Sequence, residues 1–341
     1  MLRCLVFFLL VGYLAGFAVA QQPQVSDTKS SVDPDSSGLP APPQGSSKED
    51  WAKLQVDRKI LPLLVGGATM AKSESASYST ELVRLQWRHS DPIDIWVIKP
   101  HGVEKPRVAL YLYSYPSDID RFRDDSWCKA ATSNGLAAVG FISALTGERF
   151  RGRPMREWFI RELQESMGSS VHDVQLIIDY LARRGDLNVD KVGMFGQGSG
   201  GAIAMLAAAA DPRITAVDVL NPWGDWPDWL KSSPVVRDEE RSEFLDPQFL
   251  KKAEAVEPVT YLPSLKNRAL RVQQIMDYPN TPPAARDKIA KAVPASELAR
   301  FKDRTEHAEA WKRDGLSEWL AKQLESESST VKSGQIAAAP K

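Results

Sequence analysis

From Tyr78 onward the chain repeats one pattern: short apolar runs alternate with amphipathic stretches of helical period, and the changes fall at Gly, Asn, Asp or Pro. YSTELVRLQWRHSDPIDIWVIKP sets β-branched and aromatic residues against polar ones on both sides of Ser90-Asp91-Pro92, which predicts two strands and a turn. RVALYLYSY predicts a buried strand, IDRFRDDSWCKAATSNG a helix stopped at Asn134-Gly135, and LAAVGFIS another buried strand. In SVHDVQLIIDYLARRG, Val171, Val174, Ile177, Ile178 and Leu181 recur at helical spacing, with Gly185 just past the end. KVGMFG, ITAVDVLNPW, ALRVQQIMD and SELARFKD read as strands, SGGAIAMLAAAA and PAARDKIAKAV as helices, and HAEAWKRDGLSEWLAKQL as one long closing helix. Upstream, KEDWAKLQVDRKILPLL predicts a short helix with Trp51, Leu54 and Ile60 on its apolar side. This alternation specifies an α/β class: a mainly parallel twisted sheet covered by helices on both faces, with an antiparallel hairpin at its N-terminal edge.

The ends of the chain break the pattern. A positive start at Arg3, an apolar run from Cys4 to Val19 and the close Ala18-Val19-Ala20 read as a signal peptide over 1–20, cleaved after Ala20; an uncleaved anchor is the alternative. Residues 21–47 and 326–341 are rich in Ser, Pro, Asp, Gln or Ala and read as a disordered linker and tail around a folded part at 48–325. The expectation is therefore a secreted or periplasmic protein with no membrane association after cleavage. Removal of the leader takes away Cys4 and leaves Cys128, read as a buried structural thiol. Lys and Arg number 43 against 44 Asp and Glu, a balance that points to neither nucleic acid nor an anionic membrane surface.

The chemistry concentrates at VGMFGQGSGGAIAM, residues 192–205, where a strand meets a helix through a run of glycines. The order of elements and the motifs at their junctions over about residues 75–323 resemble the α/β-hydrolase superfamily, in its secreted-esterase and prolyl-oligopeptidase-like or acetyl-ester-hydrolase-like branches. The resemblance implies a nucleophile on a tight elbow, flanked by small residues at minus two and plus two. Gly196 and Gly200 fill those flanks, so the nucleophile position falls on Gly198. Glycine carries no attacking atom, although strained backbone suits it. Two readings stay open for Ser199: a nucleophile displaced by one residue, or the residue after the elbow, whose N–H is an oxyanion donor and whose hydroxyl caps the next helix.

At the end of LYLYSYPSD the family carries a His-Gly pair where this chain has Tyr113-Ser114. Ser114 in place of glycine restricts the oxyanion backbone, and Tyr115 matches a residue lining the acyl pocket. The resemblance places the acid at Asp277, followed by Pro282, and the general base at His307; Asp225 is a backup acid. Asp277 and His307 either serve catalysis, if necessary by activating a water beside Gly198, or persist as a hydrogen-bonded pair tying two loops together.

His89, His101 and His172 read as solvated, and neither metal-ligand spacing nor a phosphate- or dinucleotide-binding fingerprint is present, so no metal or cofactor is expected. A cap insertion is expected at about 224–264, beginning in LNPWGDWPDWLKSSP; Trp223, Trp226 and Trp229 there are either its packed root or an aromatic wall for ligand, with Trp223 the substrate-site candidate. ERFRGRPMREWFIREL reads as a solvated basic segment with Trp158 and Phe159 inward, in which Arg151, Arg153 or Arg156 are candidates to meet an anionic substrate. Two functions follow: a hydrolase-fold protein of carboxylic-ester or acyl-hydrolase descent that binds without catalysis, or an active esterase using Ser199 or water with His307 and Asp277. Either would take a small ester or acyl compound; the sequence leaves the oligomeric state open.

Overall fold

The computed structural model describes residues 48–89, 91–115, 120–145 and 160–325. Ser90, the basic segment with Arg151, Arg153, Arg156, Trp158 and Phe159, and the leader, linker and tail lie outside the described residues. Nine strands form one sheet: β1 (Val65–Glu74), β2 (Tyr78–Arg88), β3 (Asp91–Pro100), β4 (Arg107–Leu112), β5 (Ala137–Phe141), β6 (Asn188–Gln197), β7 (Ile214–Leu220), β8 (Ala269–Ile275) and β9 (Leu298–Phe301). Their spatial order is β1-β2-β3-β5-β4-β6-β7-β8-β9. Pairing is antiparallel from β1 through β3 to β5 and parallel from β5 to β9.

The helices are α1 (Asp125–Thr132), α2 (Leu163–Arg184), α3 (Ser199–Ala210), α4 (Trp226–Ser232), α5 (Arg241–Phe244), α6 (Pro247–Ala253), α7 (Pro258–Tyr261), α8 (Pro283–Ala292), α9 (Arg304–Asp314) and α10 (Glu318–Glu325). Side chains alternate across each strand, so the parallel strands, buried on both faces, supply two cores. Leu110, Met194 and Val219 join Ile177 of α2 and Ile203 of α3 in one. Tyr111 and Phe195 join Leu320 and Leu324 of α10 in the other. α2 ends on Gly185 in the left-handed region, φ 76°, as its sequence position anticipates.

Three elements differ from expectation. Residues 48–64 form turns rather than a helix. Side chains of α2 claim their backbone: Gln175 bonds Leu54 O and Val56 N, and His172 meets Lys53 O. Asp50 and Asp57 bend the chain locally through Ala52 N and Lys59 N. A further strand, β1, lies outside the anticipated hairpin, with two register irregularities against β2. The closing helix is two, α9 and α10, parted at Gly315, whose φ is 75°.

His172 is also not solvated. It is buried, with Nδ1 2.6 Å from Glu49 Oε1 and Nε2 2.7 Å from Lys53 O. Glu49 bonds Arg88 at 2.6 and 2.7 Å, and Arg88 reaches Asp173 at 2.5 Å, so a buried ionic cluster pins residues 48–56 to α2 and to the β2–β3 turn. His89 and His101 are exposed. Cys128 is buried, its Sγ 3.6 Å from Phe122 O, and burial pushes the thiol up to about 11.

Candidate functional site

The carboxyl ends of β4, β6, β7, β8 and β9 gather the residues in question. β6 runs through Gln197 into α3 by a single turn residue, Gly198, with φ 56° and ψ −117°. That conformation is sparsely populated for L-residues and costs about 1–3 kcal/mol when one adopts it. The flanks are cramped: a Cβ on Gly196 would lie 2.7 Å from Gly201 Cα, and one on Gly200 would run into Leu112 O. Only glycine fits these two places without moving backbone.

Gly198 is crowded in a different way. A Cβ built there would overlap Ser114 Oγ, approach Ser114 Cβ to 2.8 Å and stand 3.3 Å from Trp223 Nε1. The hydroxyl of Ser114, from the end of β4, thus occupies space that a side chain on the turn would enter. Backbone bonds fasten the turn on the other side: Gly198 N donates to Leu220 O at 3.0 Å, and Trp223 N donates to Gly198 O at 3.0 Å.

Ser199 opens α3 and is fully buried. Its Oγ accepts from Tyr115 N at 2.9 Å. That N–H, in the stretch the sequence resemblance marked for an oxyanion donor, is satisfied within the protein. Ser114 Oγ makes a longer contact with Tyr115 O, 3.4 Å. Ser114, Tyr115, Gly198, Ser199 and Trp223 are therefore brought together.

His307 lies in the first turns of α9, which Asp303 caps through Thr305 N and Glu306 N at 3.0 Å each. Its ring is 8% exposed and packs at 5.0 Å from Phe301 and 5.3 Å from Trp311. Nε2 has no hydrogen-bond partner among the described residues, so no hydrogen bond joins it to Ser199 or to Asp277. Burial holds its pKa below the ordinary imidazole range; the nearby Asp218 charge opposes that shift and Arg271 adds to it. Asp277 is exposed beyond the end of β8 and is not among the charges that act on His307. Asp218 is committed elsewhere, taking Arg271 at 2.6 and 2.9 Å and Gln273 at 2.8 Å.

Asp225, the backup acid, pairs with Lys288 at 2.9 Å, and burial raises its pKa. The three tryptophans are packed, not displayed. Trp223, Trp226 and Trp229 are at most 1% exposed, with ring centroids 4.5 Å (Trp223–Trp229) and 5.8 Å (Trp226–Trp229) apart. Trp226 Nε1 donates to Val256 O and Trp229 Nε1 to Asn280 O. Their faces have no area left for a ligand wall, and the segment joining β7 to β8 carries the short helices α4–α7.

Two residues not singled out in the sequence organise this edge. Asn221, in the left-handed region at φ 45°, gives its N–H to Gln273 O and takes Ile275 N on Oδ1 at 2.7 Å, tying β7 to β8. An Asn directly after an apolar strand and before Pro222 is the signal that could have marked it. Glu257 accepts from Asp225 N, Trp226 N and Val259 N at 2.6–3.0 Å, which holds the tryptophan segment against the start of α7. No group of three or more His, Cys, Asp or Glu able to hold a metal ion occurs among the described residues. No described helix is long and apolar enough to cross a membrane.

No family model matches the chain. The Bacillus subtilis (strain 168) protein named "Putative hydrolase YtaP" is 26% identical over 168 residues, which are 45% of this chain and 55% of that protein. The match thus spans little more than half of the relative's length. Among solved structures, an acetyl xylan esterase from Paenibacillus sp. R4 superposes with TM-score 0.58 at 16% identity, covering 74% of this chain and 87% of that one. Acetyl xylan esterase 1 from Thermoanaerobacterium sp. JW/SL YS485 gives 0.55 at 14%, covering 74% and 86%. An S-formylglutathione hydrolase from Agrobacterium tumefaciens gives 0.54 at 12%, covering 75% and 99%. Strand order, the glycine elbow after β6 and these likenesses agree: the chain has the α/β-hydrolase fold.

Proposed function

We propose that this is an exported α/β-hydrolase-fold protein of esterase descent that binds a small ester or acyl compound without serine-hydrolase chemistry. One observation carries the reading. The volume into which a nucleophile on the elbow would project is filled by Ser114 Oγ, so the loss at position 198 is built into the packing and is more than a missing side chain. Two further features support it. The Tyr115 N–H is spent on Ser199, and His307 Nε2 meets neither a carboxylate nor a hydroxyl among the described residues. Serine catalysis needs the nucleophile, base and orienting acid hydrogen-bonded in series and a donor left open for the oxyanion.

The activated-water reading keeps one supporting feature. A His307 held neutral by burial, with Nε2 uncommitted, is able to take a proton. Turnover of 4-nitrophenyl acetate by the purified chain, beside Ser199→Ala and His307→Ala, tests both readings. The expected result is a rate no greater than the buffer's and unchanged in either variant. Turnover lost in His307→Ala but kept in Ser199→Ala would instead favour water; turnover lost in both would restore Ser199 as nucleophile.

A further inference from the structure

Where residues 49–53 cross α2, His172 meets two acceptors at once. Nδ1 lies 2.6 Å from Glu49 Oε1, and Nε2 lies 2.7 Å from Lys53 O. A peptide carbonyl can only accept. Burial would raise the Glu49 pKa, but Arg88 and His172 bring it down to about 2, so Glu49 is a carboxylate and accepts as well. A neutral imidazole has one N–H and one bare nitrogen, and would set lone pair against lone pair at one of these short contacts. Both contacts are satisfied together only by an imidazolium, which donates from each nitrogen. The His172 side chain is 2% exposed, so a bare nitrogen cannot turn to solvent while residues 49–53 stay in place. These residues lie directly on the helix: a Cβ on Gly168, one turn before His172, would stand 2.5 Å from Trp51 O.

The charges around the ring come from three directions. Glu49, Asp50 and Lys53 belong to the crossing segment, where Asp50 and Lys53 pair at 3.1 Å. Arg88, at the end of β2, binds Glu49 at 2.6 Å and stands 3.5 Å from Asp91 of β3. It also binds Asp173, the neighbour of His172 on α2, at 2.5 Å. Arg88 keeps its charge across the whole range in which histidine titrates. The next residues along the chain are fastened differently. Gln175 takes Val56 N on Oε1 and gives Nε2 to Leu54 O, and neither bond involves a titrating group.

We propose that His172 is the proton-carrying pin of a pH-sensitive strap: residues 49–53 are bound to α2 while both ring nitrogens hold protons, and come loose when rising pH removes one. The second proton belongs to the closed form, so the stabilisation it brings is present at low pH and lost as the pH rises. What is regulated is the junction through which the chain ahead of residue 48 enters the folded part. Hydrogen exchange of the full chain between about pH 5 and about pH 8, the span over which histidine changes charge, tests it when read as protection factors. The Lys53 amide, bonded to Asp50 O at 3.1 Å, should lose protection about tenfold or more at the higher pH, while Val56 N and the amides of α3 keep theirs. In nitrogen NMR of histidine-labelled wild type, the His172 ring and the Lys53 protection should change with one shared midpoint. His172→Gln, which cannot hold the second proton, should show the lower protection throughout; the wild-type comparison needs no variant to fold. Equal protection of Lys53 at both ends of the range, a bare His172 nitrogen with the strap still closed, or the same pH dependence in His172→Gln would overturn the proposal.

Discussion

Gly198 holds a backbone conformation that reactive elbows impose on a serine, and here it holds it with nothing to react. The partner of this loss is Ser114. A serine returned to 198 would meet both positive-φ strain and the Ser114 hydroxyl, so Gly198→Ser should cost about 2–4 kcal/mol in a denaturant titration and confer no esterase activity. Removing the obstruction should return part of that cost. In a double-mutant cycle with Ser114→Gly, the two substitutions should couple favourably by about 1–2 kcal/mol; strict additivity would mean that the two residues do not compete for space. The elbow's position was legible, because Gly196 and Gly200 at minus two and plus two of a strand–helix junction are residues that only close backbone approach demands. Its closure was not. The Ser199–Tyr115 bond joins residues 84 apart in sequence, and which hydroxyl fills which space follows from how β4 and β6 pack side by side.

At the scale of elements, the strands between β4 and β8 were readable because burial on both faces makes them short unbroken apolar runs. β1 was not: its Gly66-Gly67 pair and its mostly exposed residues carry no such run. Residues 48–64 misled for the opposite reason, since their helical spacing is overridden by tertiary bonds from Gln175 and His172. In the segment joining β7 to β8, tryptophans at every third position are packed inward, where the short α4 lies against α8. Glu257 fastens that segment by taking three backbone N–H groups. Glu257→Ala leaves those donors buried and unmatched, and should lower stability by about 2–4 kcal/mol. Hydrogen exchange should localise the loosening to 223–232 and 254–261; exchange that stays native there would show that the tryptophan packing suffices alone.

Across the whole molecule, the near-balance of charge hides a cluster that ties the start of the folded part to its centre. Arg88 and His172 hold Glu49 well below the ordinary range, to about 2 from 4.5, against the opposing effect of its burial. A carboxylate with a depressed folded pKa stabilises the fold above its unfolded value. That contribution, up to about 3 kcal/mol, should therefore be lost as pH falls from about 4.5 towards 2. Melting temperatures measured across that window should drop, and Glu49→Gln should lower stability at neutral pH while flattening the drop; an unchanged slope would assign acid sensitivity to other groups. The acid and base positions show the same limit at this scale. Chain order places Asp277 after β8 and His307 after β9, but whether they meet depends on how far α9 draws the histidine into its aromatic bed between Phe301 and Trp311. The most direct test of the closed elbow is labelling of the folded chain with a fluorophosphonate, which reports an activated serine whatever the substrate. We expect no labelling of Ser114 or Ser199; labelling abolished by Ser199→Ala and by His307→Ala would contradict the closed site and establish a working nucleophile.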